Sequence, residues 1–313
     1  MTKILMIDRF PEAMRTQLQI PGLDLEYRPD WDRTTILAQL AGVEVLVLNS
    51  KIRVDREVLD AAPTLQLLCR AGVGMDHFDL PLLAERGVKV VNTPGANAIP
   101  VGEQALGMLL SLLHNVVPAD RAVRQFRWLR EANRGSELRS KTVGIIGYGH
   151  TGSQVGQMLS GFGCRVLAYD KYLRGYAPPH VEETELATIQ KEADILTLHV
   201  PLTSETDGWV DTGFLNQFAR PIWLLNLARG PIVPLGGLIR ALESGRVIGA
   251  ALDVLENEKL DRLSAGERER LERLFREDRV IFTPHIGGWS HESLARINNR
   301  LVEAVKEYAG IKA

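Results

Sequence analysis

Gly144-Ile-Ile-Gly147-Tyr-Gly149-His-Thr-Gly152 is the stretch that decides the reading of this chain. Its apolar lead-in, Thr142 to Ile146, predicts a buried strand, and Ser153 to Leu159 predicts the helix that follows, ended near Gly161 and Gly163. Between them lies a G-x-G-x-x-G turn, and a second strand, Arg165 to Tyr169, runs into Asp170. Each part suits a dinucleotide. Gly147 makes the tight turn, Gly149 lets the backbone approach a pyrophosphate, and Gly152 lets helix and strand pack closely. The helix N-terminus offers N–H groups and a positive dipole end to phosphate, and Asp170 accepts hydrogen bonds from ribose hydroxyls. The hexapeptide alone also fits a strand–turn–helix with no ligand; the flanking strand, helix and acid favour the first reading.

Further strands are predicted over 195–199, 222–227, 247–252 and 280–283, making a second α/β array from Thr142 to Thr283. Ligands of open parallel sheets bind beyond the carboxyl ends of the strands. Those ends are followed here by the glycine turn, by Asp170, by His199-Val-Pro201, by Ala228-Arg229-Gly230, by Asp253 with Glu258 beyond it, and by Pro284-His285. Three of these residues make a coherent set. His285 exchanges a proton near neutral pH, Glu258 would orient the imidazole and favour its protonated form, and Arg229 would bind a carboxylate and polarise an adjacent carbonyl. Taken singly, each also reads as an ordinary polar residue: a locally bonded His, a surface Arg, a Glu in the solvated run Glu256 to Lys259.

Before this array, strands over 4–7, 23–27, 43–48, 65–69 and 88–91 alternate with helical stretches such as Thr34 to Ala41 and Leu80 to Arg86, which predicts a separate parallel α/β layer. Asn97 to Val117 reads as one long helix, apolar on more than one face and therefore buried, with Asn97 as its N-cap. Glu267 to Glu277 reads as a solvated helix, and Ser290 to Tyr308 as a final amphipathic helix that returns to the first layer. In Cys69-Arg-Ala-Gly72-Val-Gly74, the glycines follow a strand and make either an anion-binding nest of amides or a plain tight turn.

The 313 residues, 45% hydrophobic and 24% charged, suffice for two domains. A net charge of −2 gives no nucleic-acid or anionic-membrane footprint, and no apolar run reaches membrane-spanning length. Two cysteines, Cys69 and Cys164, build neither a disulfide framework nor a zinc quartet, so no metal is expected. A cytoplasmic location is expected, because Met1 to Asp8 enters a strand without a signal peptide's apolar core.

Several motifs in order resemble the D-2-hydroxyacid dehydrogenase family: RAGVGMDHFDL at 70–80, NTPGANAIPVGEQALGMLL at 92–110, the glycine turn, HVPLTSET at 199–206, NLARGPIV at 226–233, GAALDVLENE at 249–258 and TPHIGG at 283–288. LREANRGSELRSKTVGIIGYG and PHIGGWSHES look most similar to bacterial phosphoglycerate dehydrogenase-like members without a regulatory domain. The resemblance implies an α/β protein of two parallel-sheet domains. One is a Rossmann nucleotide-binding domain over 97–285; the other is a flavodoxin-like substrate domain from 1–96 plus 286–313.

It further implies NAD as cofactor, Arg229, Glu258 and His285 as catalytic residues, and the amides of Ala71, Gly72, Val73 and Gly74 as holders of the substrate carboxylate. Gly147, Gly149, His150, Thr151, Gly152, Asp170, His199, Val200, Pro201 and Thr206 would line the cofactor site, with Asp253 and the Ala228 carbonyl at the nicotinamide amide. The resemblance also implies a homodimer paired through the nucleotide domain and the arm near residues 119–140.

The chemistry expected is hydride transfer between nicotinamide and C2 of a D-2-hydroxy acid. One candidate substrate is 3-phosphoglycerate, and the alternatives are a hydroxypyruvate or glyoxylate reductase and a non-enzymatic NADH sensor. Formate dehydrogenase chemistry predicts no acidic partner for the His, and Glu258 speaks against it. Asn49 stands where phosphoglycerate dehydrogenases often carry a phosphate-binding Arg, leaving Lys51, Arg53, Arg70 and Arg134 as the cations for a phosphate.

Overall fold

A computed structural model describes residues 1–311. The chain divides into two compact units, Met1–Asn97 with Ser290–Ala313 and Ala98–Trp289.

The first unit alternates strand and helix: β1 (Thr2–Met6), α1 (Glu12–Leu18), β2 (Leu23–Tyr27), α2 (Arg33–Gln39), β3 (Val45–Leu48), α3 (Arg56–Ala61), β4 (Leu67–Arg70), α4 (Leu80–Glu85) and β5 (Lys89–Val91). Aspartates start three of the helices, Asp32, Asp55 and Asp79 each accepting the N–H of the third residue beyond. The sheet is parallel in the order β2-β1-β3-β4-β5, the flavodoxin-like order. Its inner strands β1, β3 and β4 are apolar where they cross the core because helices cover both faces: Leu5, Leu46 and Leu68 pack to one side, and Ile4, Val45, Leu67 and Cys69 to the other.

The second unit opens with α5 (Ala98–Leu113) and α6 (Val116–Arg124). The single helix expected over 97–117 is thus two. Asn115 adopts a left-handed φ of 52° between them, a conformation that Asn tolerates better than most residues. Helix α5 packs on α7 (His150–Leu159) so closely that a side chain at Gly102 would meet Met158 Sδ at 3.1 Å.

There follow β6 (Thr142–Ile146), α7, β7 (Arg165–Tyr169), β8 (Glu182–Glu183), α8 (Leu186–Glu192), β9 (Ile195–Leu198), α9 (Thr212–Asn216), β10 (Ile222–Asn226), α10 (Leu235–Glu243), β11 (Val247–Leu252), α11 (Ala265–Phe275) and β12 (Val280–Phe282). The two-residue β8 was not expected; it is too short to carry a periodic signal. The seven-stranded parallel sheet runs β12-β11-β10-β9-β6-β7-β8. Counted from β6, this is the doubly wound Rossmann order with one further strand, and it reverses between β6 and β9. Alternate side chains feed cores on opposite faces, Leu224 in one and Leu225 in the other.

Helix α12 (His291–Tyr308), capped by Ser290 and Ser293, belongs to the first unit, where Ile297, Leu301, Val302 and Val305 join the core of Ile4 and Met6. Among the described residues, no helix is long and apolar enough to cross a membrane, and no group of His, Cys, Asp or Glu is placed to hold a metal.

Candidate active site

At the reversal of the second sheet, Gly147 has a φ of +88°, and a Cβ there would meet the His199 carbonyl oxygen at 2.6 Å. A Cβ on Gly152 would overlap the Gly147 carbonyl, which ties α7 against the turn. Gly149 differs from both: nothing lies within 4 Å of the space a side chain would take. The backbone there is open to a ligand beside the first turn of α7, where His150 is exposed and Thr151 half-buried.

Asp170 is pre-positioned by the same turn. One carboxylate oxygen accepts Tyr148 N–H at 2.9 Å, and the other accepts Tyr172 and Leu173 N–H at 2.9 and 3.0 Å. Burial works to raise its pKa, but these amides outweigh it and hold the carboxyl below its ordinary value. Three acceptor positions are used, leaving room for a ribose hydroxyl. Across the reversal, burial pushes the His199 imidazole down to about 4, so the ring is neutral, with Nε2 2.9 Å from Thr197 Oγ1. The loop beyond it is fixed by Thr206, whose hydroxyl donates to the Pro201 carbonyl at 2.7 Å and accepts Thr203 N–H at 2.8 Å.

Three neighbouring strands supply the ionisable set. His285 has a left-handed φ of 55°, a conformation that the surroundings must enforce. Asp253, almost fully buried, enforces it. Its carbonyl accepts His285 N–H at 2.8 Å, while its carboxylate accepts Ile286 N–H at 2.9 Å, Gly287 N–H at 2.8 Å and the Thr283 hydroxyl at 2.5 Å. The imidazole Nδ1 then lies 3.0 Å from both oxygens of Glu258. Burial raises the Glu258 carboxyl, but the bond to His285 and the charges of His285 and Arg229 prevail and lower it, so it is ionised at neutral pH. Nε2 of His285 is left as the ring atom for exchange with a substrate.

Arg229 stands on the turn after β10, half-buried, with Nη1 donating to the Ala228 carbonyl at 2.7 Å. Two residues not foreseen build that turn. Asn226, buried at the strand end, donates to the Arg229 carbonyl at 2.9 Å and accepts Ala228 N–H at 3.1 Å. Gly230 admits no side chain, because a Cβ would overlap the Leu255 carbonyl and meet Glu256 N at 2.5 Å. A buried Asn ending an apolar strand was the available signal for the first; nothing local marked the second.

In the first unit, the loop after β4 turns its carbonyls inward. Arg70 donates to the carbonyls of Gly74, at 3.0 Å, and of Ala71, and to Asn49 Oδ1. The Gly72 carbonyl accepts Thr93 N–H at 3.2 Å, and the Val73 carbonyl accepts the Asn92 side chain at 2.9 Å. Gly72 has a φ of +149°, and a Cβ there would meet Arg70 Nη1 at 2.5 Å. The Ala71 and Gly72 amides are spent on Leu48 and Arg70 carbonyls at 2.8 and 2.9 Å. Among the described residues, those of Val73 and Gly74 are not, so the nest narrows to two donors.

The family model of the D-isomer specific 2-hydroxyacid dehydrogenase NAD-binding domain matches residues 106–287, more than half of the chain. The chain belongs to this family. It is 33% identical over 297 residues to hydroxypyruvate reductase of Thermotoga maritima, covering 95% of each chain. It is 32% identical over 309 residues to D-3-phosphoglycerate dehydrogenase of Archaeoglobus fulgidus, covering 98% of this chain but only 57% of that one, so it spans little more than half the length of that relative. Its fold matches D-lactate dehydrogenase from Aquifex aeolicus complexed with NAD and lactic acid, with a TM-score of 0.89, 27% identity and coverage of 98% and 95%. The expected family, the α/β fold with two parallel sheets and NAD as cofactor are thereby borne out.

Proposed function

We propose that the chain is an NAD-dependent D-2-hydroxyacid dehydrogenase acting on small unphosphorylated acids of the hydroxypyruvate or glyoxylate kind. The carrying observation is His285 held by Glu258 at 3.0 Å beside a charged Arg229. Arg229 would engage the substrate carboxylate and the C2 oxygen, and His285 Nε2 would move the proton of the C2 hydroxyl; in the first unit, the Val73 and Gly74 amides are the donors on offer to an anion. Glu258 stabilises the imidazolium, and Asp253 fixes its loop. Gly149, the α7 N-terminus, Asp170 and His199 to Thr206 would hold NAD, which supplies the hydride acceptor when bound.

The phosphate question turns on the cations. Arg70 is committed to its own loop and Asn49, Lys51 to the Pro29 carbonyl, and Arg134 to Glu131 at 2.6 Å. Among the described residues, only exposed Arg53 of the four cations has a side chain without a partner, so a dianionic phosphate would find a single uncommitted cation. Coverage of nearly the whole hydroxypyruvate reductase points the same way. For assembly, Val116, Val123, Phe126 and Trp128 crowd exposed apolar side chains onto α6 and the segment beyond it, and we take this face as the homodimer contact.

Turnover of NADH with hydroxypyruvate, glyoxylate and phosphohydroxypyruvate tests the reading. The expected result is a higher kcat/KM for the unphosphorylated acids. Preference for phosphohydroxypyruvate rejects the substrate class, and NADH binding without turnover of any keto acid rejects the enzyme in favour of a sensor.

A further inference from the structure

One carboxylate ties together the loops after β7 and β9. Glu205 accepts Lys171 Nζ at 2.5 Å and the Tyr172 hydroxyl at 3.1 Å. Its own backbone is placed by the threonine turn, Glu205 N–H donating to Thr203 Oγ1 at 3.2 Å. The pairing with Lys171, and then with Tyr172, holds the Glu205 carboxyl below its ordinary pKa. Arg174, the other cation of the β7 loop, folds back on the carbonyls of Asp170 at 2.8 Å and Leu173 at 2.7 Å. The end of β7 therefore presents a fixed negative charge at Asp170 with Arg174 folded beside it, while Lys171, the cation next in the chain, is drawn to the β9 loop.

NADP differs from NAD by a phosphate on the adenosine 2′-oxygen, and sites that accept it place a cation where Asp170 stands or beside it. Lys171 is next in the chain to that position. We propose that Glu205 is a cofactor-specificity residue: by holding Lys171 toward the β9 loop, it denies a 2′-phosphate a second cation, beyond Arg174, to offset Asp170. An ion pair this exposed adds little to stability; its effect falls on which cofactor binds. The proposal rests on NAD binding in the second unit.

The test is titration of the full chain with NADH and NADPH, followed by nicotinamide fluorescence, together with kcat/KM for both using glyoxylate. Glu205→Gln is expected to raise the NADPH-to-NADH affinity ratio by about three- to tenfold at low salt, the size of effect that one additional charge-assisted hydrogen bond to the 2′-phosphate produces. Glu205→Ala gives the same sign. Adding Lys171→Met to either variant abolishes the increase. An unmoved ratio in both single variants overturns the proposal, as does an increase that survives loss of Lys171. Wild-type protein that binds neither cofactor rejects the NAD reading and the proposal together, whereas NADH binding with an unmoved ratio rejects the proposal alone.

Discussion

The backbone of Gly230 lies against the carbonyl of Leu255 with no space for a methyl group. The turn that carries Arg229 and the segment that leads to Glu258 are therefore packed main chain to main chain, and displacing one displaces the other.

Gly230→Ala should accordingly lower stability by about 1–3 kcal/mol, as overpacking does, and cut kcat/KM by about 100-fold through misplacement of the ionisable set. Gly236→Ala is the control, since its Cβ would meet nothing nearer than Arg240 Nη1 at 3.6 Å. Thermal melts and steady-state kinetics of the two variants check this; equal behaviour would show that the Leu255 contact yields easily.

Arg229→Ala should fold normally, because Arg229 lies outside the apolar cores. It should lose about 100-fold or more in kcat/KM as the charged anchor of the reacting group disappears. A variant retaining more than about a tenth of wild-type kcat/KM, a loss under 1.4 kcal/mol, would remove Arg229 from that role.

Glu258→Gln removes the charge that stabilises a protonated His285 through the 3.0 Å contact. Reduction of a keto acid needs the protonated ring, so its alkaline limb should move to lower pH. Oxidation of the hydroxy acid needs the neutral ring, and its acid limb should move the same way. The paired pH–rate profiles decide the matter, and limbs that stay in place would mean that Glu258 does not act through the imidazole.

His199 predicts a pH dependence of stability with the opposite origin. Burial lowers its pKa from 6.5 to about 4, so on acidification the unfolded chain binds the proton first. Stability from this group is intact above 6.5 and declines as pH falls from 6.5 toward 4. Denaturant midpoints of wild type and His199→Gln across that window measure it: the variant should show the shallower decline.

What the sequence disclosed depended on how local the physics is. The glycine turn was readable because Gly147 and Gly152 answer to contacts within a few residues or one strand away, and the apolar strands because both faces of each sheet are covered. The break at Asn115 was not readable: its neighbours keep a helical pattern, and an Asn that adopts a left-handed φ looks like one that does not. Arg70 shows the other limit. As a cation beside a glycine loop it read as a solvated surface charge or as one of four candidates for a phosphate pocket, and only its bonds to Asn49 and to the carbonyls of Ala71 and Gly74 reveal a brace. Asp253, expected at the nicotinamide amide, is bonded to the His285 loop, a link between strands adjacent in the sheet but far apart in the chain that no spacing announces.

The order of elements along the chain has a consequence for biosynthesis. Residues 98–289 form one uninterrupted stretch, so the nucleotide-binding unit can complete its core as soon as β12 emerges. The first unit is begun earlier yet finished later. Until α12 is made, Ile4, Met6, Val45 and Val47 lack Ile297, Leu301, Val302 and Val305, their partners in the core. During synthesis the earliest sheet waits for the last helix with one face covered in part, by Met14 and Leu18 of α1 and by Phe10. A chain stopped at Trp289 would carry a finished nucleotide-binding unit and a first unit with that apolar face half-covered and still within reach of chaperones and proteases.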